Sequence, residues 1–219
     1  GNFGSDPRYQ VSLKNYRNPA HGCTPYTSVS SGEADRLLAS QNLSVVGASE
    51  REKRTVGAAI KRVQELNGGV LRTGMGPGSV YPFRFTEDSG SGQRADHIKI
   101  GRNRSGPNDH NHNGHSVAQH VHEWAHLIGN NGAYNQFRRY MDSRSYGSND
   151  YCIVSNYADN NPNEQFAEVF TAFVTEPAIL LNNTRTPAAC RKAFEFFRTQ
   201  FFPRGNRVQS CIPHPLANR

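Results

Sequence analysis

The sequence predicts an α+β fold: a single domain with a small twisted sheet in its N-terminal half, a central helix beneath that sheet and a helical C-terminal half. Three observations predict it. Val56, Ala59, Ile60, Val63 and Leu66 recur at the 3.6-residue period of an amphipathic helix. Short β-like segments follow at 70–73, 80–85 and 95–101. Three further helical patterns then occupy 116–128, 161–176 and 187–202. At 219 residues the chain is long enough to bury one sizeable core.

Residues 1–30 are polar and rich in Pro, Asn and Gly, and read as an extended arm tied down by Cys23; the domain proper is 31–219. Gly1–Pro7 carry neither the charged nor the apolar stretch of a signal peptide, so such a leader is expected to have been removed or never present. A short helix is expected from Glu33 to Ser40. Ser49-Glu50-Arg51-Glu52 has the form of a capping box and opens the long helix, which Asn67-Gly68-Gly69 stops. Among the strands, 95–101 alternates polar and apolar residues as a half-exposed strand does, and is the candidate edge for an extended peptide. Glu87–Gly92 is expected to join it to 80–85 as a hairpin-type connection. Ser116, with Gln119, caps the central helix, whose core stripe is Val117, Val121, Trp124, Ala125 and Ile128 and which Gly129 ends. Asn161-Pro162 starts the next helix and Glu176-Pro177 stops it. The last carries Phe194, Phe197 and Phe201 on one side.

Net charge is +7, yet Lys and Arg are scattered without a basic block or interleaved aromatics, which argues against nucleic-acid binding. No run reaches the ~18 apolar residues of a membrane span. The four cysteines form no C-x-x-C pair, which argues against a structural zinc knuckle. Their even number and wide spacing fit two disulfides and a secreted protein, against four buried thiols in a cytosolic one. Cys190–Cys211, flanking the last helix, is the expected pair, leaving Cys23–Cys152. The sequons at Asn42, Asn103 and Asn182 agree with secretion.

The chemistry centres on His122-Glu123-Trp124-Ala125-His126. On a helix, residues four apart lie about 40° apart, so His122 and His126 point two imidazoles at one ion. Glu123 lies beside that face as general base for a water on the ion. A catalytic zinc takes a third protein ligand and keeps one position open. Glu164 and Glu168, one turn apart on the 161–176 helix, offer it, one as ligand and the other orienting a histidine. Glu164 alone could instead serve a capping box after Asn161. His120 points away from the pair. Asp109-His110-Asn111-His112-Asn113-Gly114-His115 has no fixed ligand spacing and reads as a solvated loop.

With Ser155-Asn156-Tyr157 and Asn163-Glu164-Gln165-Phe166-Ala167-Glu168-Val169-Phe170, the H-E-x-x-H stretch resembles the zincin metallopeptidases of the anthrax toxin lethal factor and Pro-Pro endopeptidase group, over roughly 115–175. The resemblance implies a zincin-like domain with Glu164 as third zinc ligand, Glu168 behind the ligands, and Tyr157, seven residues before Glu164, as oxyanion donor. The cysteines and the N-terminal third fall outside it. A phenol near the metal has its own physical case, since it donates to a developing oxyanion without resting charge.

The expected function is that of a secreted zinc endopeptidase, a toxin, effector or nutritional protease, acting as a monomer on protein or peptide substrates. One rival is a deuterolysin-type peptidase with Asp142, Asp150 or Asp159 as third ligand, although that family's GT-x-x-x-x-YG pattern is absent. Another is a zinc-stabilised binding protein without catalysis.

Overall fold

The computed structural model describes residues 29–71, 81–88, 91–101, 117–142, 150–155, 158–159 and 161–208. Expectations for the N-terminal arm, the histidine-rich loop, Ser116, Tyr157, Cys23 and Cys211 lie outside them. Within them the fold is α+β, with a four-stranded mixed sheet and a helical C-terminal half.

Helix α1 (Ser31–Ser40) begins where the Ser30 side chain accepts from Glu33 N at 3.2 Å. Strand β1 (Leu43–Val46) follows, and then α2 (Glu50–Asn67). Both halves of the α2 capping box form: Glu52 N donates to Ser49 Oγ at 3.1 Å, and Ser49 N donates to Glu52 Oε1 at 2.8 Å. Gly68 closes the helix in the left-handed region. Val70 and Leu71 are irregular, not the start of a strand.

Strands β2 (Tyr81–Thr86), β3 (Gly92–Gln93) and β4 (Ile98–Gly101) complete the sheet in the order β1-β2-β4-β3. Two expectations are corrected here. The 80–85 and 95–101 strands run parallel, so Glu87–Gly92 is not a hairpin between them. The edge belongs to β3, which pairs antiparallel with β4, while β4 is interior with neighbours on both sides. The physical reason is that two residues of strand fit between β2 and β4 in sequence and take the outer place in the sheet. Phe83 aligns with Ile98 and Phe85 with Ile100, and all four are buried on one face. His120 of α3 (Val117–Ile128) meets that face, edge-on to Phe83 and Phe85 at 6.1 and 5.7 Å between ring centroids. It therefore points away from the other histidines, as its helical position requires.

Helix α3 ends at Ile128 as expected, with Gly129 the first residue beyond it. A kinked π-turn (Gly129–Ala133) with Gly132 at φ 115° carries the chain into α4 (Tyr134–Met141). After the segment Tyr151–Ser155, helix α5 (Pro162–Thr175) starts on Asn161, whose Oδ1 accepts from Glu164 N at 2.9 Å. Short α6 (Ala178–Leu181) and α7 (Pro187–Glu195) follow, and a π-helical turn (Phe196–Phe201) extends the last helix.

Helix α5 is the spine of the C-terminal half. Phe166, Phe170 and Phe173 are fully buried among Phe137, Phe194, Phe197 and Phe202, with ring centroids 5.5–5.8 Å apart in the pairs Phe166–Phe170, Phe173–Phe194 and Phe173–Phe197. Buried Arg62 of α2 donates from Nε to Val174 O at 2.9 Å, placing a cation at the negative end of α5.

The disulfide pairing expected from sequence is wrong. Cys152 bonds to Cys190, their Cα atoms 4.5 Å apart and both side chains fully buried. The fold lays the segment before α5 across the first turn of α7, so proximity in space overrides proximity along the last helix.

Candidate metal centre

Helices α3 and α5 pack side by side and bring the expected residues together. His122 and His126 lie one turn apart with Nε2 atoms 3.2 Å from each other. Glu164 reaches both, Oε2 standing 3.1 Å from His122 Nε2 and Oε1 3.2 Å from His126 Nε2. Three ligands of a tetrahedral zinc at ~2.0–2.1 Å stand about 3.3 Å apart, so these spacings match one face of such a tetrahedron. Glu164 Oε2 is buried and, despite its proximity to His122, lies outside hydrogen-bonding alignment with any donor among the described residues. A carboxylate with one oxygen beside each imidazole nitrogen, the buried one without a hydrogen bond, suits a cation among them. The residues present therefore fit a metal of the N/O class, with His122 Nε2, His126 Nε2 and the Glu164 carboxylate as its holders.

Each of the two histidines is held from behind. His122 Nδ1–H donates to Glu168 Oε2 at 3.0 Å, and Ser155 Oγ donates to Glu168 Oε1 at 2.8 Å. Ser155 in turn sits on a stapled segment: Cys152 N donates to Gln165 Oε1 at 2.9 Å, Ile153 N to Thr186 Oγ1 at 2.8 Å, and the disulfide holds Cys152 to α7. His126 Nδ1–H donates to Tyr134 Oη at 2.5 Å. Both hydrogen bonds occupy Nδ1 and turn Nε2 toward the cluster, the nitrogen that would meet a metal.

Tyr134 was not anticipated from sequence. The signal for it is Gly129, where an added Cβ would overlap the Tyr134 ring. The glycine that reads as a helix stop is therefore a close-approach site for the phenol. The ring also packs edge-on against Phe166 of α5, centroids 5.3 Å apart.

The electrostatics agree with a cation-binding cluster. Burial alone would depress His122, but the carboxylates of Glu164 and Glu168 outweigh it and raise its pKa to about 9. Burial opposes ionisation of Glu164, yet the two imidazoles hold it well below the ordinary carboxylate range. Burial, reinforced by the charges of Glu164 and Glu123, pushes the Tyr134 phenol up, so it keeps its proton. The cluster stabilises positive charge among its donor atoms, whether a proton or a metal ion.

No family model, curated protein or solved structure matches this chain.

Glu123 is almost fully buried within the chain, and its carboxylate lies within 4.8 Å of the His122 and His126 donor atoms. With His126, Tyr134 and Glu164 it lines a cavity of about 360 Å³ that opens past β3. None of the three candidate aspartates joins this cluster among the described residues. Asp142 caps α4 in the left-handed region and borders a different cavity with Arg138 and Arg139. Asp159 pairs with Arg185 at 3.1 Å. Asp150 lies in an exposed turn.

Proposed function

We propose that the protein is a zinc-dependent endopeptidase acting on protein substrates outside the reducing cytosol, as a secreted toxin, effector or nutritional protease. The observation that carries this reading is the shared cavity: two histidines and Glu164 converge at ligand spacing, and Glu123 borders the same space. A bound zinc ion would polarise the scissile carbonyl and lower the pKa of its water toward ~7.

The chain's own residues do the rest. His122, His126 and Glu164 would hold the ion, with Glu168 and Tyr134 fixing the ring orientations. Glu123 accepts a proton from the attacking water as its oxygen bonds to the carbonyl carbon. The same carboxylate returns that proton to the departing amine as the C–N bond breaks. Tyr157 is the proposed donor to the oxyanion, a role the zincin resemblance implies for a tyrosine seven residues before Glu164. The buried Cys152–Cys190 disulfide supports a location where thiols oxidise. Among the described residues no helix is long and apolar enough to cross a membrane.

The test is digestion of a diverse peptide library read by mass spectrometry, with metal content measured in parallel. Wild type should cut internal bonds. Glu123→Ala should retain metal and lose at least ~10³-fold in rate, the scale of general-base loss combined with the misplaced water. Glu164→Ala should lose metal, whereas Asp150→Ala should not. Full activity in Glu123→Ala removes the mechanism; metal retained by Glu164→Ala returns the third ligand to another residue. Metal bound with no cleavage by wild type favours the non-catalytic binding protein.

A further inference from the structure

We infer that Asn161 is a further catalytic residue, whose side-chain amide donates a hydrogen bond to a carbonyl oxygen of the bound peptide. The role rests on the peptidase reading and deepens it.

The two ends of this amide have separate duties. The oxygen is structural. Asn161 stands immediately before α5 at φ −166° and ψ 167°, the extended backbone that a residue before proline takes. Its Oδ1 accepts from Glu164 N at 2.9 Å, and its backbone oxygen accepts from Gln165 N at 2.9 Å. These bonds, with the Pro162 ring behind them, fix the backbone and the amide plane together. They also settle which end of the amide is which, because the Glu164 N–H needs an oxygen opposite it.

The nitrogen is the donor. With Oδ1 committed to the cap, the N–H bonds of Nδ2 meet no acceptor among the described residues. Asn161 is half-buried and lines the cavity that Glu123, His126 and Glu164 share. Nδ2 is not sealed off from solvent, so the donor end of the amide is open on the side of that cavity.

The cap accounts for the oxygen and not for the nitrogen. Serine and aspartate cap a helix as well as asparagine does. Aspartate here would set another carboxylate beside Glu123 and Glu164 and turn an acceptor toward a peptide carbonyl. A lysine or arginine would donate, but its charge would pair with the carboxylate that is to hold the metal. The carboxamide caps with one end and donates without charge from the other. Glu164 is the third residue of α5, and its own backbone N–H holds Asn161, so the donor is fixed to the residue that would ligate the ion. A donor held in place before the peptide arrives needs no reorganisation when charge develops on a carbonyl oxygen. The acceptor is the scissile carbonyl as it becomes an oxyanion, or the carbonyl of a neighbouring residue of the peptide.

The experiment measures kcat and KM on one cleaved peptide for wild type, Asn161→Ser and Asn161→Asp, with melting temperature and metal stoichiometry alongside. Both variants keep an oxygen for Glu164 N and lack the amide donor. Both should therefore fold and hold metal as wild type does, while kcat/KM falls about tenfold or more, toward the ~10²–10³ of a lost oxyanion donor. Affinity of the same peptide for metal-loaded Glu123→Gln, with and without Asn161→Ser, assigns the acceptor. Unchanged affinity with a lowered kcat assigns it to the oxyanion; weakened affinity assigns it to a neighbouring carbonyl. A purely structural Asn161 predicts full kcat/KM in both capping variants, and that result overturns the role of Asn161 alone. So does metal lost from Asn161→Ser, since the residue would then act through Glu164. No cleavage by wild type overturns the peptidase reading and this role with it.

Discussion

His126 shows how much of the candidate site depends on single atoms behind the ligands. Its Nδ1–H finds the Tyr134 phenol at 2.5 Å, as that of His122 finds Glu168 at 3.0 Å. A carboxylate and a phenol are different partners: Glu168 adds negative charge behind His122, whereas Tyr134 keeps its proton and fixes orientation alone. Removing the phenol oxygen should therefore loosen the imidazole without changing the cluster's charge. Tyr134→Phe keeps the ring against Phe166 and should weaken metal binding about 10–100-fold, the usual effect of losing a ligand's hydrogen-bond partner. Competition with a chromophoric chelator measures it, and unchanged affinity would remove Tyr134 from the centre. The histidine pair, Glu123 and the two glutamates were legible in the sequence because helical spacing converts directly into position. Tyr134 was not, since its contact runs across a kinked turn that no periodicity encodes.

At the scale of elements, what could be read was what repeats or caps. Ser49 with Glu52, Asn161 with Pro162 and the phenylalanine stripe of α5 are local signals, and each marks an element that forms. Strands β1 and β3, with four and two residues, and α6, with four, are too short to establish a period. The stop at Gly129 was legible, but the kinked turn through Asn131 and Gly132 that leads from α3 into α4 was not. What Gly129 provides is the missing Cβ over which the Tyr134 ring lies. Gly129→Ala keeps good helix geometry and yet forces the ring away. It should lower stability by about 1–3 kcal/mol, the range for an overpacked contact, and reproduce the affinity loss of Tyr134→Phe. The double variant should bind metal no more weakly than Gly129→Ala alone, because the two changes act through one contact. Urea unfolding and the chelator titration, run on all three, check both statements; additive losses in affinity would show that Gly129 acts elsewhere.

For the whole molecule the sequence is least informative about what meets across space. Parallel pairing of β2 with β4 and the Cys152–Cys190 bond both depend on the order in which elements stack, which no spacing records. That bond lies behind the α5 side of the candidate centre. Cys152 lies three residues before Ser155, which holds Glu168, and Cys190 lies in α7, packed under α5 through Phe194 and Phe173. The bond spans 38 residues, and closing a loop of that length restricts the unfolded chain by about 4 kcal/mol. Replacing both cysteines by alanine should lower the melting temperature by about 10 °C for a chain of this size. A purely entropic staple would stop there, leaving the folded protein's metal affinity unchanged. If the bond also keeps Tyr151–Ser155 in place for Glu168, affinity should fall as well, and saturating metal should restore part of the lost melting temperature by mass action. Thermal unfolding with and without zinc, for wild type and the double alanine variant, separates the two. A lowered melting temperature with unchanged affinity confines the disulfide to the unfolded state; a loss in both links the staple to the orientation of His122 through Ser155 and Glu168.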